Sequence, residues 1–211
     1  MKKIRIFALI LILVSFAISV YSYSDLPEKV ASHWNINGEV DGYMPKFQGI
    51  FLIPVLSIII YVLMLTLPKI DPLKGIKKFR KYYEFILLLI ISFMVYIQIL
   101  IILWNLGYSF NFIIGITPAF SLLFILIGFR LRYTKQNWFM GIRTPWTLSS
   151  KKVWKKTHVL GSKLFIVSGI LSFFGIFFKK YAFFLLIAPV IISTFIVFVY
   201  SYIIYKGLKK K

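Results

Sequence analysis

The chain has 211 residues, 60% of them hydrophobic, with a mean hydropathy of +0.85. Soluble domains stay near about 45–50% apolar, so this composition specifies an integral membrane protein. A formal net charge of +20 would suggest nucleic acid in a soluble chain, but here the basic residues flank apolar runs, which argues against it as a direct partner, and the lack of cysteine excludes disulfides, thiolate nucleophiles and cysteine-based metal sites.

Residues 4–23 are nearly continuous apolar sequence behind Lys2, Lys3 and Arg5. About 20 helical residues cross one hydrocarbon core of about 30 Å. A signal peptide cleaved near Val20-Tyr21-Ser22 is the alternative, although the run is longer than a usual signal core. Residues 24–48 form a loop holding four of the six acids, Asp25, Glu28, Glu39 and Asp41, with turn signals at Asn37-Gly38 and Asp41-Gly42. It is expected to be compact and to fold against the membrane surface. Residues 49–67 make a second span around Pro54, and residues 68–84 a loop rich in Lys and Arg. The third span, 85–104, carries Ser92 and Gln98; the short link 105–111 leads to the fourth, 112–129, with Pro118. Residues 130–159 form a long loop with Arg130, Arg132, Lys135, Arg143, Lys151, Lys152, Lys155 and Lys156 and no acid. Spans 160–178 and 181–205 follow, hinged at Lys179-Lys180, and the tail holds Lys206, Lys209, Lys210 and Lys211.

With the amino terminus inside, every Lys and Arg except Lys29, Lys46, Lys179 and Lys180 falls in or beside the cytoplasm. The expected fold is all-α: a multi-pass cell-membrane protein with six transmembrane helices and both termini cytoplasmic. Residues 1–84 make an amino-terminal membrane domain with the extracytoplasmic loop 24–48; residues 85–211 make a carboxy-terminal one with the cytoplasmic loop 130–159. Pro54, Pro118 and Pro189 fall one to each even-numbered span. Membrane helices tolerate proline, and that reading is preferred to a hinge.

No zinc-protease helix, nucleophile elbow, P-loop or pair of carboxylates within a span is present, so neither an enzyme nor a cofactor is expected. His33, Glu39 and Asp41 match no tight metal-ligand spacing. The spans lack ionisable groups at depth, which counts against an ion-coupled transporter.

Two loops carry the candidate residues. In the first, His33, Trp34, Asn35 and Asp41 suit recognition of a peptide: Trp for contact area, His and Asn for directed hydrogen bonds, acid for a cationic partner. A self-packed loop with His33 or Asn35 bonding its own turns is the equal alternative. The second runs from Asn137 through Gly141, Arg143, Thr144, Pro145 and Trp146 to Trp154 and His158. Gly141 permits a tight bend, and Thr144 before Pro145 favours extended backbone. Ser149-Ser150 marks a helix start that sets Trp154 and His158 on one face. Two readings stand: an amphipathic helix resting on anionic lipid headgroups, with Arg143 meeting lipid phosphate or a fixed carboxylate, and a protein-docking surface.

At these loops the sequence resembles the SdpI-type immunity proteins. Leu26-Pro27, His33-Trp34-Asn35, Gly38, Asp41-Gly42 and Lys46 look like the family's amino-terminal domain of unknown function. The unbroken run Asn137 to Ser149, then Val153-Trp154, Thr157-His158 and Gly161, looks like its carboxy-terminal signature. The resemblance implies a membrane protein that protects a bacterium from a secreted sporulation-delaying killing peptide. It also implies capture of a small cytoplasmic transcriptional repressor. The expected function is therefore membrane immunity and peptide sensing. The alternatives are a small-solute or peptide transporter using Ser92, Gln98, Thr117 and Ser168 and, last, a membrane enzyme built on His33 and Asp41.

Overall fold

The computed structural model describes residues 2–209, the side chain of Lys209 excepted; Met1 and the tail residues Lys210 and Lys211 lie outside the described residues. In chain order the elements are α1 (Lys2–Ser22), β1 (Lys29–Trp34), β2 (Val40–Pro45), α2 (Lys46–Ile70), the single turn α3 (Gly75–Lys78), α4 (Arg80–Asn105), α5 (Phe112–Leu131), the short α6 (Pro145–Ser149), α7 (Lys151–Phe173) and α8 (Ala182–Lys209). The helices α1, α2, α4, α5, α7 and α8 are each long and apolar enough to cross a bilayer. The chain is thus a multi-pass membrane protein of six helical spans. α4 packs on α1 and α2, α5 on α7, and α7 on α8, while α4 and α5 meet between the two groups.

Two elements differ from the expected outline. The loop 24–48 is folded as an antiparallel hairpin, with Lys29 opposite Pro45 and an irregular register beyond Ala31. Its turn uses Gly38 at φ +79°, a conformation that glycine adopts without strain. The fifth span begins at Lys151 and not at residue 160, because Ser150 accepts a hydrogen bond from the Val153 N–H and caps the helix there. Hydropathy marks only the greasy part of such a helix. Its first two turns are lysine-rich yet continuous with the span.

Small residues let α5 and α7 approach closely, as is usual where helices associate in lipid. Ser162 Oγ donates to the Gly128 carbonyl at 2.7 Å, and a Cβ on Gly169 would lie 2.7 Å from the Ser121 carbonyl. The seam between α2 and α4 rests on hydrogen bonds. α2 contains Pro54 and Pro68, neither of which has an N–H for the carbonyl four residues back. Those carbonyls belong to Ile50 and Met64. Gln98 Nε2 donates to the first at 2.8 Å and the Tyr83 hydroxyl to the second at 2.7 Å, both from α4. In lipid no water would replace these donors.

This accounts for one group considered as a transport lining. Gln98 also donates to Ser19 Oγ at 2.9 Å, closing α1 onto the same knot. Thr117 donates to the Ile113 carbonyl in its own helix, and Ser168 is bonded to the Pro189 carbonyl and Ser193. Ser92 lines a largely apolar groove between α4 and α5. Several polar groups within the spans bond helix to helix, among them Gln98, Ser162, Ser168 and Ser172. At the amino-terminal end Glu84, buried, accepts from Arg5 at 2.6 Å and from Arg80 at 3.0 Å, which fixes α1 against α4.

Candidate functional site

The two candidate regions sit at opposite ends of the bundle. The hairpin rests on the end of α4 and the start of α5, whereas the Asn137–His158 segment rests on the other ends of those helices.

Two asparagines clamp the hairpin. Asn105, the last residue of α4, accepts from the Ala31 N–H at 2.7 Å and donates to the Ala31 carbonyl at 3.1 Å, mimicking a further strand. Asn111 caps α5 through the Ile114 N–H and donates to the Asn37 carbonyl at 2.6 Å, so the turn is seated on a helix start. Trp34 does not face outward. It stacks on Phe112 at 3.7 Å between centroids and meets Trp104 edge-on at 5.9 Å. Asn35 is committed to the turn, accepting from the Asn37 and Glu39 N–H groups at 2.9 and 3.1 Å. His33 and Asp41 hydrogen-bond across the strands, and both are exposed. Exposed Ile36, Tyr43 and Phe47 lie on the same module. This rim presents acid and aromatic groups on a braced scaffold.

The other end is a clasp in which most of the named side chains point inward. Asn137 is fully buried. Its Oδ1 accepts from the N–H groups of Phe139 and Met140 at 2.8 and 2.7 Å, and its Nδ2 donates to the carbonyls of Lys135 and Met140, both at 2.8 Å. One side chain thereby closes the loop on itself. Asp71, buried on the neighbouring loop, accepts from the N–H groups of Trp138 at 3.3 Å and Ile76 at 3.1 Å.

His158 and Trp154 do share a helix face, stacked at 4.1 Å and 18°. That face is buried. The Ile142 N–H donates to His158 Nε2 at 3.0 Å, and His158 Nδ1 faces the Trp154 carbonyl at 2.8 Å. These partners assign the neutral tautomer protonated on Nδ1. Gly141 has φ +107°, and a Cβ there would sit 2.5 Å from His158 Nε2, so the bend and the histidine exclude a larger residue. Trp154 Nε1 donates to the Thr134 carbonyl at 3.1 Å.

Thr144 opens α6 with a reciprocal capping box. The Thr147 N–H donates to Thr144 Oγ1 at 3.2 Å, and the Thr144 N–H donates to Thr147 Oγ1 at 2.8 Å. Pro145 takes the first helical position, where no N–H is needed. Thr144 Oγ1 also meets Ser201 Oγ at 3.0 Å, and Trp146 packs on Phe198 and Tyr202, so the clasp is fastened to α8. Arg143 is exposed and donates to the Trp138 carbonyl at 2.6 Å. Trp138 beside it is half exposed.

Of the residues named from sequence, His33, Asp41, Gly141, Arg143 and Pro145 lie at the surface, and Trp34, Asn35 and Trp146 partly so. Asn137, Thr144, Trp154 and His158 are buried and shape the clasp from within. Sequence reasoning missed Asp71, Asn105, Asn111, Gln136, Thr147 and Ser201. Asparagine at a helix boundary and a lone acid in a basic loop are signals that a search for caps would have found. Among the described residues no three of His, Asp and Glu gather to hold a metal ion.

Family models match two stretches of the chain. The domain of unknown function DUF1648 matches residues 10–58, and the SdpI/YfhL protein family matches residues 133–201. The protein named "Immunity protein SdpI" from Bacillus subtilis (strain 168) is 31% identical over 211 residues, covering 99% of this chain and 98% of that protein. No solved structure matches.

Proposed function

The chain belongs to the SdpI/YfhL protein family, and we propose that it is a membrane immunity protein that neutralises a secreted antimicrobial peptide by binding, without catalysis. The near full-length likeness to an immunity protein carries this reading. The charge pattern supports its direction, with the lysine-rich clasp end in the cytoplasm and the hairpin meeting a peptide that arrives from outside. His33 and Asp41 offer the polar contacts and Tyr43 and Phe47 the apolar area, while Trp34 and Asn35 hold the hairpin in shape. At the clasp, Trp138, Arg143 and Trp146 form the edge on which a cytoplasmic repressor docks; Asn137, Gly141, Thr144, Trp154 and His158 keep that edge rigid.

Survival of a sensitive host tests the immunity half. Cells expressing this chain are challenged with the sporulation-delaying killing peptide, and rescue is expected. The Asp41→Lys variant should lose protection while still inserting in the membrane. Undiminished killing of cells that contain correctly inserted wild-type protein refutes immunity to that peptide. Undiminished protection by Asp41→Lys moves binding away from the hairpin.

A further inference from the structure

At the clasp end a cavity of about 420 Å³ opens between the α2–α4 loop, the segment after α5 and the first turns of α7. Five cations line it: Lys78, Arg132, Lys135, Lys151 and Lys155, with no acid among the lining residues. Among the described residues, the two side-chain carboxylates at this end of the molecule are already engaged. Glu84 is taken by Arg5 and Arg80, and Asp71 by backbone N–H groups. Among the described residues none of the five cations forms an ion pair with a carboxylate. So many like charges around one recess raise a strong positive potential that only an anion from elsewhere can satisfy.

The recess is built, not incidental. Thr134 and Trp154 in its wall are buried and locked by their mutual hydrogen bond, and Gln136 is held by the carbonyls of Thr147 and Leu148 at 2.8 and 2.6 Å. Because α5 ends and α7 begins at its rim, it lies where a bilayer places its headgroups. The start of α7 adds the positive end of a helix dipole. The volume matches a small-molecule headgroup better than a bare ion, and Leu73 adds an apolar edge.

We propose that this cavity binds a phosphate-bearing anion, supplied by the headgroup of an anionic glycerophospholipid. A phosphate presents several acceptor oxygens to several lysines at once. The site requires no toxin and no repressor, so it stands or falls independently of the immunity reading.

The full chain in detergent is titrated with phosphatidylglycerol or phosphatidylcholine, and retained lipid is counted by native mass spectrometry. Phosphatidylglycerol should be retained preferentially. The Lys135→Gln/Lys151→Gln/Lys155→Gln variant should bind it at least about tenfold more weakly, because it removes three of the five cations that line the cavity. The control Lys152→Gln/Lys156→Gln/Lys163→Gln removes equal charge from the adjoining groove of α7, which shares only Lys155 with the cavity, and should change binding less than about threefold. Equal losses from both variants would show diffuse surface attraction and overturn the site. If the triple variant does not fold, Lys135→Gln alone decides: about threefold weaker binding supports the site and no change overturns it. Displacement of the lipid by inorganic phosphate would keep the phosphate site and assign its source to the soluble ion.

Discussion

Pro54 and Gln98 should be energetically coupled across two helices. Pro54 leaves the Ile50 carbonyl without its helical donor, and Gln98 Nε2 fills that vacancy at 2.8 Å, with Ser19 Oγ a distant second at 3.4 Å. Gln98→Leu keeps the bulk and removes the donor. An unsatisfied buried acceptor costs about 1–3 kcal/mol. Two effects reduce that figure: Gln98 Oε1 is itself buried without a partner, so leucine removes one orphan while making another, and Ser19 remains nearby. The expected loss is about 1 kcal/mol, in the range found for hydrogen bonds between membrane helices. In a Pro54→Ala background the alanine N–H restores the helical bond to Ile50, and Gln98→Leu should then be neutral or slightly stabilising. The difference, a coupling of about 1 kcal/mol, is read from a double-mutant cycle. Helicity followed by circular dichroism during a denaturing-detergent titration supplies the four stabilities. Costs that simply add would refute the idea that Gln98 substitutes for the proline's missing N–H. Tyr83→Phe against Pro68→Ala repeats the experiment at the Met64 carbonyl.

Gly141→Ala should destabilise the protein by about 1–3 kcal/mol, because it combines a positive φ with a contact at His158; an unchanged thermal midpoint in detergent would mean that His158 does not underlie the bend. Asn137→Ala strands the N–H groups of Phe139 and Met140 and should cost about 2–4 kcal/mol, with faster amide exchange confined to the clasp. Glu84→Gln unpairs two arginines that retain solvent access, so its expected cost is about 1–2 kcal/mol, below that of breaking a fully buried pair; the same denaturant titration measures it. Asn105→Ala should release the edge of the hairpin, seen as accelerated exchange at the Ala31 amide with α4 still protected.

Residue type and periodicity revealed the six spans, the start of α7 at Ser150 and the shared face of Trp154 and His158, because each depends on neighbours within a few positions. They could not reveal which way that face turns. A tryptophan and a histidine four apart beside lysines suit a lipid surface as well as a packed interior, and only the Ile142 N–H and the Thr134 carbonyl, both distant in sequence, decide for the interior. Trp34 is a milder case: half-buried, it stacks on Phe112. The prolines carry this furthest. Counting back four residues from Pro54 names the deprived Ile50 carbonyl without any structure, and Gln98 in the third span then becomes the obvious donor; Pro68 and Tyr83 join the pattern only because α2 runs on to Ile70 and α4 starts at Arg80. In water that inference would be weak, since solvent satisfies stray carbonyls. In lipid the missing solvent makes the Ile50 and Met64 carbonyls a demand on another helix. Gln98 reads as a transport lining only while that demand is left out of account. A polar residue in an apolar span is therefore better matched first against the prolines of its neighbours, and assigned to a path only when none of them needs it.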